Sequence, residues 1–182
     1  MKATGIVRRI DDLGRVVVPK EIRRTLRLRE GEPMEIFTRG DGEIVLKKYS
    51  PIGELSAYAK EFADTIAQIT GHLVCVSDHD QIVAASPQAQ KEYLSKSISN
   101  ELEELMENRE TRVAEEGDNG FIRITKEDAQ GYNSQVIQPI ISAGDVIGAV
   151  AIMNRAAREA VGELEQKIAS VAAGFLGRQM EQ

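Results

Sequence analysis

Cysteine occurs once, at position 75; tryptophan is absent; only 4% of residues are aromatic. A lone cysteine excludes a disulfide within the chain and suits a reducing cytoplasm. Any core must be aliphatic. The two histidines, His72 and His79, are too isolated for a zinc site, which takes three or four nitrogen or sulfur ligands. No apolar run approaches eighteen residues, so no membrane-spanning helix is expected. The start, MKATGIVRRIDD, lacks the apolar core of a signal peptide. GxSxG, P-loop, dinucleotide and HExxH signatures are all missing, so no catalytic constellation supports an enzyme.

The chain that remains has 182 residues, 42% hydrophobic and 29% charged, which are globular proportions. Its net charge of −6 is unevenly spread. Residues 1–50 carry twelve Lys/Arg against eight Asp/Glu, a balance of +4; residues 51–182 carry eleven against twenty-one, a balance of −10. Such asymmetry between regions points to two domains with different partners. The break falls at Lys47-Lys48-Tyr49-Ser50-Pro51, giving domains 1–50 and 51–182.

The first domain reads as β-β-α-β-β. Strands are predicted over 4–10 and 15–18, the second stopped by Pro19, which has no N–H for a ladder. A short helix follows over 20–26, then strands over 34–38 and 43–48 around a turn containing Asp41-Gly42. Fifty residues with few large apolar groups make a marginal core. Metal and disulfide are excluded because residues 1–50 hold no Cys or His. A partner chain remains, with interlocking hairpins burying the apolar strands between two copies.

The second domain reads as an α+β fold bracketed by helices. Ser50 caps a helix with Pro51 at its first position, and Gly71 ends it. Along it Ile52, Leu55, Ala59, Phe62, Ile66 and Ile69 keep 3-4-3-4-3 spacing. Strands over 72–76 and 81–85 flank the turn Ser77-Asp78-His79-Asp80. Ser86-Pro87 starts helical character toward 108, interrupted near 96–99. Strands follow over 111–115, 121–125, 134–142 and 146–153. A last helix runs from about 157, with Val161, Leu164, Ile168, Val171 and Phe175 again at 3-4-3-4 spacing. These ten apolar positions, Ala59 apart, are the candidate oligomerisation residues, forming a helical bundle between subunits. Seams this short also fit packing on the domain's own sheet.

The charge of the first domain is concentrated. Arg8, Arg9, Arg15, Lys20, Arg23, Arg24, Arg27 and Arg29 fall within twenty-two residues, among only Asp11, Asp12 and Glu21. Arginine's planar, always-charged fork suits phosphate. Main-chain N–H groups near Pro19 offer further phosphate donors. Some of these arginines can instead pair with nearby acids, a fate expected of Arg27 or Arg29 more than of Arg15. The cluster as a whole is the candidate nucleic-acid-binding surface.

The run TGIVRRIDDLGRVVVPKEIRRTLRL, followed by EGEPMEIF and EIVLKKY, resembles the AbrB family of bacterial transition-state regulators over about residues 3–50. The resemblance implies a swapped-hairpin barrel made by two chains, with DNA contact through Arg8, Arg15, Arg23 and Arg24 and a further basic position at Arg9. The full length is similar to the family's two-domain sporulation regulators. That implies a C-terminal GAF-type domain, a homotetramer, a cytoplasmic and nucleoid-associated place in the forespore, and activation of some genes with repression of others.

Residues 1–33 contain no Asn and no Gln, the side chains best suited to reading adenine. Arginine alone positions on phosphates and reads shape, so degenerate, A/T-influenced recognition of promoter DNA is expected. GAF-type domains often hold a small molecule, but no residue names one, and no cofactor is expected. Cys75, within LVCV, reads as core; Asp78-His79-Asp80 as a polar turn; Tyr132 and Asn133 as a weak pocket rim. Two other readings stand beside the regulator. Related swapped-hairpin domains serve in toxin–antitoxin pairs, but there the partner region is a short disordered tail. A signalling or enzymatic domain with incidental DNA binding lacks any catalytic group to support it.

Overall fold

The computed structural model describes residues 5–128, 131–155 and 161–181. The chain divides into two compact units, residues 1–49 and 50–182.

The N-terminal unit contains helix α1 (Lys20–Leu26) and strands β1 (Met34–Arg39) and β2 (Glu43–Lys48). β1 and β2 form an antiparallel hairpin from Met34↔Lys48 to Arg39↔Glu43. Gly42 closes the turn at φ 77°, donating to the Arg39 carbonyl at 3.2 Å. The Lys47 ammonium lies 4.8 Å from the centre of the Phe37 ring, a cation–π contact across the hairpin.

The expected strands over 4–10 and 15–18 do not form in the single chain: residues 5–10 and 15–18 carry no strand. A strand exists only where a neighbouring backbone supplies a ladder of hydrogen bonds. The connecting turn is closed by Asp11 N–H donating to the Arg15 carbonyl and Gly14 N–H to the Asp11 carbonyl, both at 3.0 Å.

The C-terminal unit places α2 (Pro51–Glu54), α3 (Ser56–Thr70), β3 (Leu73–Ser77), β4 (Ile82–Ala85), α4 (Pro87–Tyr93), α5 (Asn100–Glu107), β5 (Arg112–Glu115), β6 (Ser134–Ser142), β7 (Asp145–Asn154) and α6 (Glu163–Gln179). Its antiparallel sheet runs β4-β3-β7-β6-β5. α2, α3 and α6 cover one face through Ile52, Ala59, Ala63, Ile66, Ala172 and Leu176. α4, α5 and the residues Phe121, Ile122, Ile124 and Tyr132 cover the other, with Cys75, Tyr93, Leu102 and Met106 buried there.

The helix expected to start at Pro51 is broken at Leu55. Ser50 does cap it, its Oγ accepting from Gly53 N–H at 3.1 Å, and Gly71 ends α3 at φ 74°. Ser86 precedes α4 but gives no side-chain cap; its Oγ accepts from Val74 N–H at 3.1 Å instead. The strand expected over 121–125 reduces to one bridge, Ile98↔Thr125. The backbone there is held by side chains: Ser99 Oγ donates to the Arg123 carbonyl at 2.6 Å. The last helix starts at Glu163 rather than near 157, a position outside the described residues.

Two glycines allow close packing. A Cβ on Gly148 would sit 2.0 Å from the Ser77 carbonyl oxygen, and one on Gly177 would sit 2.1 Å from that of Ile141. The second lets α6 lie directly on β6.

Candidate nucleic-acid interface

The basic side chains sit on a turn and a short helix. Asp11 builds the turn. Its Oδ1 accepts from Leu13 N–H at 3.0 Å and Arg15 N–H at 2.7 Å, and its Oδ2 receives Arg15 Nε at 2.8 Å. The Arg15 main-chain N–H, then its guanidinium, hold the Asp11 carboxyl below the usual carboxylate range. Arg15, which sequence reasoning placed behind Arg27 and Arg29 as a partner for local acids, does have a neighbouring acid as its side-chain partner. Arg15 stays mostly exposed, so the ion pair orients the guanidinium without hiding it.

α1 carries the next group. Pro19 precedes it with φ −58°, and Arg23 N–H donates to the Pro19 carbonyl at 2.9 Å. No residue of α1 is buried. Lys20, Arg23 and Arg24 are therefore all presented on its surface, with Glu21 in the first turn and both arginines in the last. Arg8 and Arg9 are exposed on the extended segment before the turn; Arg8 Nη1 donates to the Val7 carbonyl at 3.4 Å. The helix ends at Arg27, which adopts the left-handed conformation, φ 52° and ψ 41°. Sequence reasoning missed the part played by Asp11, although its place in the Asp-Asp-Leu-Gly-Arg turn was a signal. It also missed the conformation of Arg27, for which a non-glycine residue gives no sign.

Apolar groups of the same unit also stand in the open. Val7 is 85% exposed, Ile36 67% and Ile44 66%, and Pro19 alone is buried among the described residues of the unit. A face of this kind marks a site of association.

The candidate oligomerisation residues divide. Ile52, Ile66 and Val161 are buried in the C-terminal unit's own core, so they face its sheet rather than another chain. Val161 precedes α6 instead of lying on it, its N–H donating to Ser134 Oγ at 3.0 Å. Leu55, Phe62 and Ile168 are half-buried. Ile69, Leu164, Val171 and Phe175 are exposed, Ile69 and Val171 at 75% and 69%. Phe62 and Phe175 meet with ring centres 4.9 Å apart, bringing α3 and α6 together. An apolar groove of about 220 Å³ runs beside them, lined by Phe62, Ile66, Lys167, Ile168, Val171 and Ala172.

The opposite face of the sheet is filled by its own side chains. Tyr132 is fully buried rather than on a rim, its hydroxyl 3.0 Å from the Ile122 carbonyl and 2.9 Å from Asp128 Oδ2. Tyr93 donates to Asp128 Oδ1 at 3.2 Å. Burial, then the Asp128 charge, pushes both phenols up. Asn133 Nδ2 donates to the Arg155 carbonyl at 3.0 Å. Cys75 is buried, and that burial pushes its thiol up, which makes it a poor nucleophile. Asp78 is a turn-builder: Oδ1 accepts from Asp80 and Gln81 N–H at 2.7 and 2.8 Å, and Oδ2 from Ser50 Oγ at 2.7 Å. Among the described residues no three His, Cys, Asp or Glu side chains converge for a metal.

The family described as stage V sporulation protein T C-terminal, transcription factor, matches residues 54–181. The family described as antidote-toxin recognition MazE, bacterial antitoxin, matches residues 7–54. Stage V sporulation protein T of Bacillus subtilis (strain 168) is 52% identical over 182 residues, covering all of both chains. The transition state regulatory protein AbrB of the same organism is 38% identical over 94 residues, 52% of this chain and 97% of that one. Among solved structures, the GAF domain of Acinetobacter phosphoenolpyruvate-protein phosphotransferase matches with a TM-score of 0.57 at 13% identity, over 70% of this chain and 82% of that one. A methyl-accepting chemotaxis protein fragment gives 0.55 at 17% identity, over 71% and 90%. At these identities the structural likeness concerns the fold alone.

Proposed function

The chain belongs to the stage V sporulation protein T family of transcription factors, and we propose that it regulates sporulation genes by gripping promoter DNA with the arginines of its AbrB-type N-terminal domain. The observation that carries this reading is the cluster of exposed cations on the Asp11–Arg15 turn and α1, set beside an apolar surface that the domain leaves uncovered. Two copies, with their segments 4–18 interlocked, bury that surface and give those segments strand partners. The cations of both copies then form one face. Arg8, Arg15, Arg23 and Arg24 make its phosphate contacts, with Arg9 and Lys20 adding positive charge to the face, which positions the protein on DNA without strong base selection.

The GAF-like C-terminal domain joins two such barrels into a tetramer through Ile69, Leu164, Val171 and Phe175. Linked barrels bind with higher effective concentration than one barrel alone. A small molecule sensed by this domain would shift their spacing, raising transcription at some promoters and lowering it at others. The protein works in the cytoplasm, at the nucleoid. The match to an antitoxin family concerns only residues 7–54. The region after it is a folded sheet domain rather than a short tail, which favours the regulator.

The test is DNA binding by mobility shift at several salt concentrations, with mass followed by light scattering. Four arginines from each of two chains, touching about eight phosphates, give a slope of log K on log salt of roughly −7. Arg15→Ala with Arg23→Ala should keep the mass and lose both affinity and slope. A slope shallower than about −3 for the intact chain contradicts the electrostatic grip.

A further inference from the structure

We propose that Asn119-Gly120, in the loop after β5, is a site of spontaneous covalent change: Asn119 closes on the Gly120 nitrogen, loses ammonia and reopens as aspartate or isoaspartate, loosening the layer that covers the second face of the sheet. The inference is independent of the DNA reading, since it concerns the C-terminal unit alone.

Residue type is the first reason. Asparagine is among the chemically labile side chains. Of Asn100, Asn108, Asn119, Asn133 and Asn154, only Asn119 precedes a glycine. Glycine has no Cβ to hinder the approach of its nitrogen to the neighbouring side-chain carbon.

Geometry is the second. Phe121 N–H donates to the Asp118 carbonyl at 3.0 Å, closing a four-residue turn with Asn119 and Gly120 at its centre. Asn119 is exposed. Its neighbours hold the loop: Asp118 N–H donates to the Glu115 carbonyl at 3.0 Å, and Asp118 Oδ2 accepts from Glu115 N–H at 2.9 Å. Among the described residues neither the Asn119 side chain nor the Gly120 N–H has a hydrogen-bond partner. Both reacting groups are therefore free to meet. Asp41-Gly42 in the β1–β2 turn supplies the contrast, because there the Gly42 N–H is engaged by the Arg39 carbonyl at 3.2 Å.

Charge is the third. Attack requires the Gly120 nitrogen to give up its proton, and a nearby cation favours the anion that results. A Cβ on Gly120 would lie 3.2 Å from Arg112 Cδ and Nη1, so the guanidinium stands beside the reacting peptide. Glu110, which pairs with Arg112, and the loop acids Glu115, Glu116 and Asp118 act in the opposite sense.

The chemistry balances with water as its only co-reactant. The Gly120 nitrogen bonds to Asn119 Cγ, the Cγ–Nδ2 bond breaks, and ammonia leaves with the proton that Gly120 gave up. Water then opens the cyclic imide. Opening at Cγ gives aspartate. Opening at the main-chain carbonyl carbon routes the chain through Cγ and lengthens the turn by one carbon. Phe121 follows directly and packs on Tyr132 with ring centres 5.2 Å apart. A longer turn breaks the 118–121 closure and draws Phe121 away from Tyr132.

The experiment ages the full chain in neutral buffer and follows Asn119 by peptide mass mapping, with isoaspartate read by enzymatic methylation. The peptide holding Asn119 should convert while those holding the other asparagines stay intact. Gly120→Ala should slow conversion about tenfold, an added barrier of about 1.4 kcal/mol. Neither central residue has a positive φ, so alanine suits the backbone there. The aged chain should show a lower melting midpoint for its C-terminal unit than the fresh chain, and Asn119→Gln aged alongside should keep its own. Survival of Asn119 in the folded chain, with conversion once urea has unfolded it, would overturn the proposal, because the turn would then protect the site. Survival in both states would overturn the chemistry itself. Conversion with an unchanged midpoint would overturn the loosening at Phe121.

Discussion

The two units bury apolar surface in opposite ways. The C-terminal unit sandwiches a sheet between two helical layers and closes its core with its own residues. The N-terminal unit leaves Ile36, Ile44, Val17 and Leu13 in the open and hides only Pro19 among its described residues. The contrast shows where folding and association are separate events and where they are the same one. The sheet domain can be stable as a monomer and associate afterwards. The hairpin domain has no comparable interior among its described residues, so if two copies pair as proposed its stability should depend on concentration.

The largest effect should come from truncating a core residue of the self-sufficient unit. Leu176 is fully buried on α6, and Leu176→Ala should destabilise that unit by about 2–5 kcal/mol. Denaturant unfolding should give the same loss at every protein concentration. The matched change Ile36→Ala removes a side chain that is exposed in one chain. If the N-terminal unit folds by pairing, its cost should appear as a melting midpoint that falls and varies with concentration. A concentration-independent midpoint for Ile36→Ala would break the comparison.

A second change separates the assembly levels. Val171→Glu places a charge on the outward face of α6 without touching the sheet core. Light scattering should then report half the tetramer mass, with the N-terminal pairing intact and DNA affinity reduced by lost avidity. Retention of the tetramer would move the subunit contact away from α6.

Smaller still is the cap at the domain boundary. Ser50 accepts from Gly53 N–H and donates to Asp78, tying the start of α2 to the β3–β4 turn. Ser50→Ala should cost about 1 kcal/mol, read from the unfolding of the C-terminal unit. No measurable change would mean that this cap is replaced by water.

Legibility in the sequence follows the same division. Features set by local chemistry could be read: the hairpin around Gly42, the helix that starts after Pro19, the cap at Ser50 and the end at Gly71. What depended on a distant neighbour could not. The 3-4 spacing in α3 and α6 marks an apolar stripe but not what covers it. In the structure Ile52, Ala59 and Ile66 face the sheet, while Leu55 and Phe62 are half-buried and Ile69 is exposed. Much of the contact with the sheet falls to Ala63, Ala67, Ala169 and Ala173, small residues that contribute little to a hydrophobic pattern. Ser86 looked like a cap but satisfies a strand N–H across the sheet, a partner no local rule names. In the basic corner, residue type pointed to the cations and Asp-Asp-Leu-Gly-Arg to a turn, but which acid would hold Arg15 needed the backbone path.

That turn supplies the smallest prediction, a pH dependence confined to the hairpin domain. Asp11 is bound by the Arg15 N–H first and its guanidinium second, so its folded carboxyl titrates below the unfolded value of about 3.9. A depressed folded pKa means that the stabilisation is fully present above the unfolded value. It is lost as pH falls through the lower folded one. A proton on Asp11 therefore loosens the turn and frees the Arg15 guanidinium only under strongly acidic conditions. At neutral pH the pair should act as a fixed aiming device. Asp11→Asn keeps an oxygen for the main-chain N–H groups but drops the charge that orients Arg15. It should leave the fold intact and reduce DNA affinity modestly at pH 7, with an NMR titration of Asp11 in the parent chain lying below that of a free aspartate. An unshifted Asp11 titration, or Asp11→Asn binding more tightly because a neighbouring negative charge has gone, would mean that the carboxylate competes with phosphate for Arg15 rather than presenting it.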